Sequence, residues 1–158
     1  MQTIRRFLLT LITILCISSS IEAAVNPQPF VIPEIKEWKG ATGNFTPTEK
    51  SRIVCADKNP ELIRIANLFA EDYKSMFGTK PEIIQGKGAS GDFILSIHAD
   101  KKLGKEGYAI RITDRIQLSA PENMGVYWGT RTLLQIAEQT DNHSFPKGEI
   151  RDFPDYAI

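Results

Sequence analysis

The chain has 158 residues, with 19 basic and 19 acidic side chains and two cysteines. That length suits one domain. The balanced charge leaves no basic stripe for a nucleic acid, and so few cysteines exclude a disulfide-stapled scaffold.

Residues 1–24 read as a cleaved secretory signal. Arg5 and Arg6 form a positive start, FLLTLITILCI over residues 7–17 an apolar centre, and SSSIEAA a small-residue end. The apolar run is far shorter than the ~20 residues a membrane-spanning helix needs. A lipid-modified Cys16 would want a small residue before it, and Leu15 stands there. Cleavage after Ala23 or Ala24 leaves Cys55 as the one cysteine of the mature chain. No internal disulfide is then possible, and packing alone must hold the domain. Export without disulfides fits the periplasm or surface of a bacterium better than a eukaryotic secretion route.

NPQPFVIP (26–33) carries three prolines and reads as an extended lead-in. IKEW (35–38) alternates like a short edge strand, and SRIVCA (51–56) is a β-branched strand. Residues 60–77 are predicted to form an amphipathic helix. Asn59 is its N-cap, Pro60 occupies the first helical position and Gly78 the left-handed stop. Leu62, Ile65, Ala66, Phe69, Tyr73, Met76 and Phe77 fall on one face.

PEIIQ (81–85), a flexible GKGASG (86–91) and DFILSI (92–97) follow as strand, connection and strand. Residues 108–120 read as a hairpin turning near Asp114. Ser119 and Glu122 are spaced as a capping box for a second helix over about residues 120–139. The order predicts an α+β fold, with two amphipathic helices packed on one face of a mostly antiparallel or mixed sheet.

Chemistry is scarce. His98, His143 and Cys55 have no metal-site spacing. The loop 86–91 precedes a strand rather than a helix, so it is no phosphate cradle, and no serine sits in a nucleophile elbow. Glu71-Asp72, the one adjacent acidic pair, falls on the solvated side of the first helix. No catalytic, cofactor-binding or metal-ligating residue is assigned, and no cofactor is expected.

From Gly107 onward the order of motifs is more specific. Gly107-Tyr108 opens a strand, and Ile116-Gln117-Leu118-Ser119-Ala120 a second. A helix follows with Gly125, Gly129, Thr132, Leu133 and Gln135, then Ile150, Asp152, Pro154 and Tyr156. This run resembles the end of the N-terminal domain of family 20 β-N-acetylhexosaminidases. Asp155 departs from the arginine that many members have there.

The resemblance implies a non-catalytic accessory domain over residues 25–148 and a connector over 149–158. The connector would lead to a C-terminal (β/α)8 catalytic barrel, and glycan would be met only through that barrel. The family removes terminal β-linked N-acetylglucosamine or N-acetylgalactosamine using an Asp-Glu pair on the barrel. No Asp-Glu dipeptide occurs in this sequence, so none of the family's catalytic residues can be placed on it. Such a domain alone should be inactive and should show an apolar patch where the barrel belongs. Similar accessory domains precede α-glucuronidases and O-GlcNAc hydrolases. A free-standing carbohydrate-binding module, using Trp38 and Tyr108 on one sheet face, is the remaining alternative.

Overall fold

In a computed structural model, residues 24–154 are described. Except for Ala24, the expected signal segment lies outside them, as do the last four residues of the expected connector. The elements are β1 (Glu37–Phe45), β2 (Arg52–Cys55), α1 (Pro60–Phe77), β3 (Glu82–Gln85), β4 (Phe93–Ile97), β5 (Tyr108–Ile112), β6 (Ile116–Ala120), α2 (Asn123–Glu138) and β7 (Phe145–Asp152). A short 3-10 turn, Asp141–His143, joins α2 to β7.

Seven strands form one sheet in the order β1-β7-β5-β6-β4-β2-β3. The pairs β2–β3, β2–β4 and β4–β6 are parallel, whereas β1–β7, β5–β7 and β5–β6 are antiparallel. The sheet is therefore evenly mixed. Its parallel half follows from α1, which carries the chain from β2 back to a parallel neighbour. α2 makes a second crossover: β6 and β7 both run antiparallel to β5, so the helix must return the chain past that strand.

α1 forms for the reasons its sequence suggests. The Asn59 side chain accepts hydrogen bonds from the Glu61 and Leu62 amides, and Gly78 ends the helix at φ 82°. Leu62, Ile65, Ala66, Phe69, Ala70 and Tyr73 face the sheet. Met76, expected on that face, is exposed instead.

α2 departs from expectation at its start. Glu122 is the N-cap residue but its side chain caps nothing, and Ser119 is the fourth residue of β6. A serine committed to a strand ladder cannot also cap a helix, so the predicted capping box does not form.

The least anticipated element is β7. Residues 149–152, read from the sequence as connector, are the second half of an interior strand paired on both sides. Pro146 is tolerated because β5 pairs only from Gly148 onward, so the missing N–H faces no β5 carbonyl. Gly148 admits the Trp38 ring: a Cβ there would lie 2.4 Å from its Cη2 atom.

The core lies between the helices and one sheet face. Phe69, Phe93, Phe45, Phe145 and Tyr73 pack edge to face or tilted, with centroid spacings from 5.6 to 6.2 Å. The other face carries Lys39, Arg111, Gln117 and Glu149 to solvent.

Candidate functional site

Residues with the elements of chemistry are dispersed. Cys55 is fully buried; burial, and then the charge of Asp57, raise its thiol above the ordinary range. An inert thiol is the consequence. His98 sits exposed beyond the end of β4. Glu71 pairs with Lys80, and its hydrogen bond to that ammonium lowers its pKa. Asp72 turns instead to Arg131, 2.5 Å away on α2. Each acid of the adjacent pair is thus held by its own cation. Among the described residues no cluster of three or more His, Cys, Asp and Glu side chains could hold a metal ion.

The motif residues of the second half converge instead on one corner. Tyr108 is buried, 4% exposed, where β5 meets the last residue of β7. Its hydroxyl donates to Asp152 Oδ2 at 2.9 Å and lies 2.6 Å from Thr132 Oγ1. With the tyrosine proton committed to the carboxylate, Thr132 is left to donate to the tyrosine oxygen. Burial, followed by the effect of Asp152, pushes the Tyr108 pKa upward, so the hydroxyl stays protonated. Three elements, β5, β7 and α2, are tied at one oxygen.

The two helix glycines have different reasons. A Cβ on Gly125 would lie 2.2 Å from the Gly107 carbonyl oxygen, so the first turn of α2 rests directly on backbone. At Gly129 the obstacle is a side chain, Leu118, whose Cδ1 would be 2.3 Å away.

Gln135 reaches back to the lead-in segment. Its amide oxygen accepts from the Ile32 amide at 2.9 Å, and its nitrogen donates to the Ile32 carbonyl at 3.2 Å. One turn on, Gln139 donates to the Phe30 carbonyl at 2.7 Å. Gln135 thus bonds backbone, whereas Thr132 bonds a side chain. Between these groups runs a cleft of about 680 Å³, lined among others by Ile32, Pro33, Trp128, Gln135, Asp152 and Phe153.

Large apolar side chains stay exposed in two places, on the helices and on the lead-in segment. Trp128 and Met124 are 43% and 49% exposed on the outer stripe of α2, and Leu68 is exposed on α1. Phe30 and Ile32 stand out on the lead-in segment at 69% each. The Arg131–Asp72 pair links the two helices, with the guanidinium carbon 4.9 Å from the Tyr127 ring centre. The spacing of α2 apolar residues revealed the helix but not which of them stay outside. Trp128 is one that stays outside. The carbohydrate-module alternative meets the opposite geometry: Trp38 is half-buried over Gly148 and Tyr108 is inside, so no exposed aromatic row forms from them.

Comparison with known proteins fits this arrangement. The family model described as "Glycosyl hydrolase family 20, domain 2" matches residues 28–153. A lacto-N-biosidase of Bifidobacterium bifidum is 28% identical over 141 residues, which is 87% of this chain and 12% of that protein. The N-acetyl-β-hexosaminidase of Streptomyces plicatus superposes with a TM-score of 0.71 at 20% identity, over 85% of this chain and 28% of that one. A β-N-acetylhexosaminidase of Bacteroides fragilis gives 0.60 at 23% identity, over 80% of this chain and 25% of its own. The chain thus spans roughly a quarter of these solved relatives and an eighth of the curated one. With the match covering most of its length, this chain belongs to glycosyl hydrolase family 20, as its domain 2.

Proposed function

We propose that this chain is the non-catalytic accessory domain of an exported β-N-acetylhexosaminidase, and that its helix layer packs on the catalytic barrel of that enzyme. The observation that carries the reading is the apolar surface of Trp128, Met124 and Leu68, uncovered on a domain whose core is otherwise complete. Monomeric soluble domains rarely leave such a surface without a partner. β7 delivers the polypeptide to Phe153 and Pro154 at the rim of the same cleft, which supports a following domain beginning there.

The parent enzyme would act on terminal β-linked N-acetylglucosamine or N-acetylgalactosamine, and the hexosaminidases among the similar structures support that substrate class. Export to a bacterial periplasm or surface rests on the basic start and apolar run of residues 5–17 and on the single mature cysteine. In this reading no side chain described here touches sugar. The test is direct. The 158-residue chain is expected to release no nitrophenol from a nitrophenyl N-acetylglucosaminide; saturable turnover would refute the assignment.

A further inference from the structure

We infer that the N-terminal strap, residues 25–36, is itself a docking element, held by Gln135 and Gln139 so that Phe30 and Ile32 form an apolar ridge for the catalytic domain of the same polypeptide. The inference rests on the function proposed above and adds a second surface, outside the helix layer, with its own presenting residues.

The strap is pinned along its length. The Asn26 amide donates to the Ala41 carbonyl at 3.0 Å, and its side chain donates to the Gly43 and Lys147 carbonyls at 2.7 and 3.1 Å. These bonds fill the bulge in β1, where pairing with β7 shifts between Gly40 and Asn44. Trp38 Nε1 donates back to the Asn26 carbonyl at 3.0 Å. Gln28 donates to the Ile35 carbonyl at 2.9 Å, and Val31 and Ile35 are buried.

Between these anchors the Gln135 amide pairs with both backbone groups of Ile32, as a neighbouring strand would. Val31 is turned inward, whereas Phe30 and Ile32 on either side of it are turned out. Here the backbone is already ordered and the outward residues are large and apolar, which is the arrangement that lowers the entropic cost of binding.

The position of the ridge selects its occupant. Ile32 and Pro33 line the same cleft as Phe153 and Pro154, so polypeptide continuing from β7 emerges beside the ridge. The ridge calls for an apolar groove on that following domain.

Hydrogen exchange on the 158-residue chain and on the full-length polypeptide that continues from it tests this. The Phe30, Val31 and Ile32 amides are expected to exchange about tenfold more slowly in the longer protein. The F30S/I32S double variant, altered only at exposed positions, should melt as the parent chain does and should lose that protection. Gln135→Ala with Gln139→Ala should lose it too while leaving Phe30 and Ile32 in place. If the outer stripe of α2 is protected in the longer protein and the strap is not, the inference falls and the helix-layer docking stands. If neither is protected, both fall. Protection of the strap that grows with concentration in the 158-residue chain would make a second copy the occupant and would also overturn the inference.

Discussion

At Asp92 a single carboxylate decides how three segments meet. It is almost fully buried and receives Arg52 Nε at 3.1 Å and Nη2 at 2.7 Å. It also accepts from the backbone amides of Arg52 and Ala89 at 3.3 and 2.8 Å. Burial on its own raises its pKa, but the hydrogen bonds and charge of Arg52 and the Ala89 amide outweigh that and hold it lowered. A depressed carboxylate contributes stability that is present above the usual aspartate value of about 3.9 and is lost as pH falls through its folded value. Asp92→Asn should therefore cost roughly 2–3 kcal/mol in urea unfolding near neutral pH, since Arg52 is a third exposed and can rehydrate. The deficit should begin to shrink below about pH 4, where the aspartate of the unfolded chain takes up its proton, and should go on shrinking as pH falls through the lower native value. An equal deficit at all pH values would count against the ion pair as its cause. The surface pair Arg64–Glu61 is exposed on both sides and contributes little by comparison.

Among the elements, α2 best separates propensity from packing. Replacing either helix glycine by alanine should favour the isolated helix by about 1 kcal/mol. In the fold the sign reverses. Gly125→Ala meets backbone at Gly107, which cannot move without disturbing β5, while Gly129→Ala meets the end of the Leu118 side chain. Overpacking of this kind costs about 1–3 kcal/mol, and Gly125→Ala is expected at or above the upper end with Gly129→Ala near the lower. Thermal unfolding of the two single variants checks the order. Equal losses would mean that the close approach of α2 to Gly107 does not set the cost. A helix that needs its glycines in this way is positioned by what it touches, which is why Tyr108, Thr132 and Asp152 can meet at its side.

On the scale of the whole molecule, the sheet has a solvated charged face and a face covered by helices, and the helix layer has an apolar outer surface of its own. Met124→Ser with Trp128→Ser is expected to change the stability of the 158-residue chain by no more than about 0.5 kcal/mol, as for other surface positions. The same pair should reduce its binding of a hydrophobic dye. A large loss of stability would instead place these side chains in the core and remove the basis for docking there.

Local chemistry made much of this legible. The bounds of α1 were readable because Asn59, Pro60 and Gly78 act on the backbone of their own neighbours, and the hairpin of β5 and β6 because alternation needs only adjacent residues. The run from Gly107 to Pro154 also declared its family before any residue had a position in space. Three things were decided only by the tertiary structure. β7 is a strand because β1 and β5 offer it ladders on both sides, a condition that Pro146, Gly148 and its charged residues conceal. Ser119 caps nothing because β6 claims its backbone first. Trp128 and Met124 share the helical period of core residues, and only the placement of α2 against the sheet determines which side of that period stays outside. A sequence states how often apolar residues recur; the neighbours that cover them are set by contacts between residues far apart in the chain.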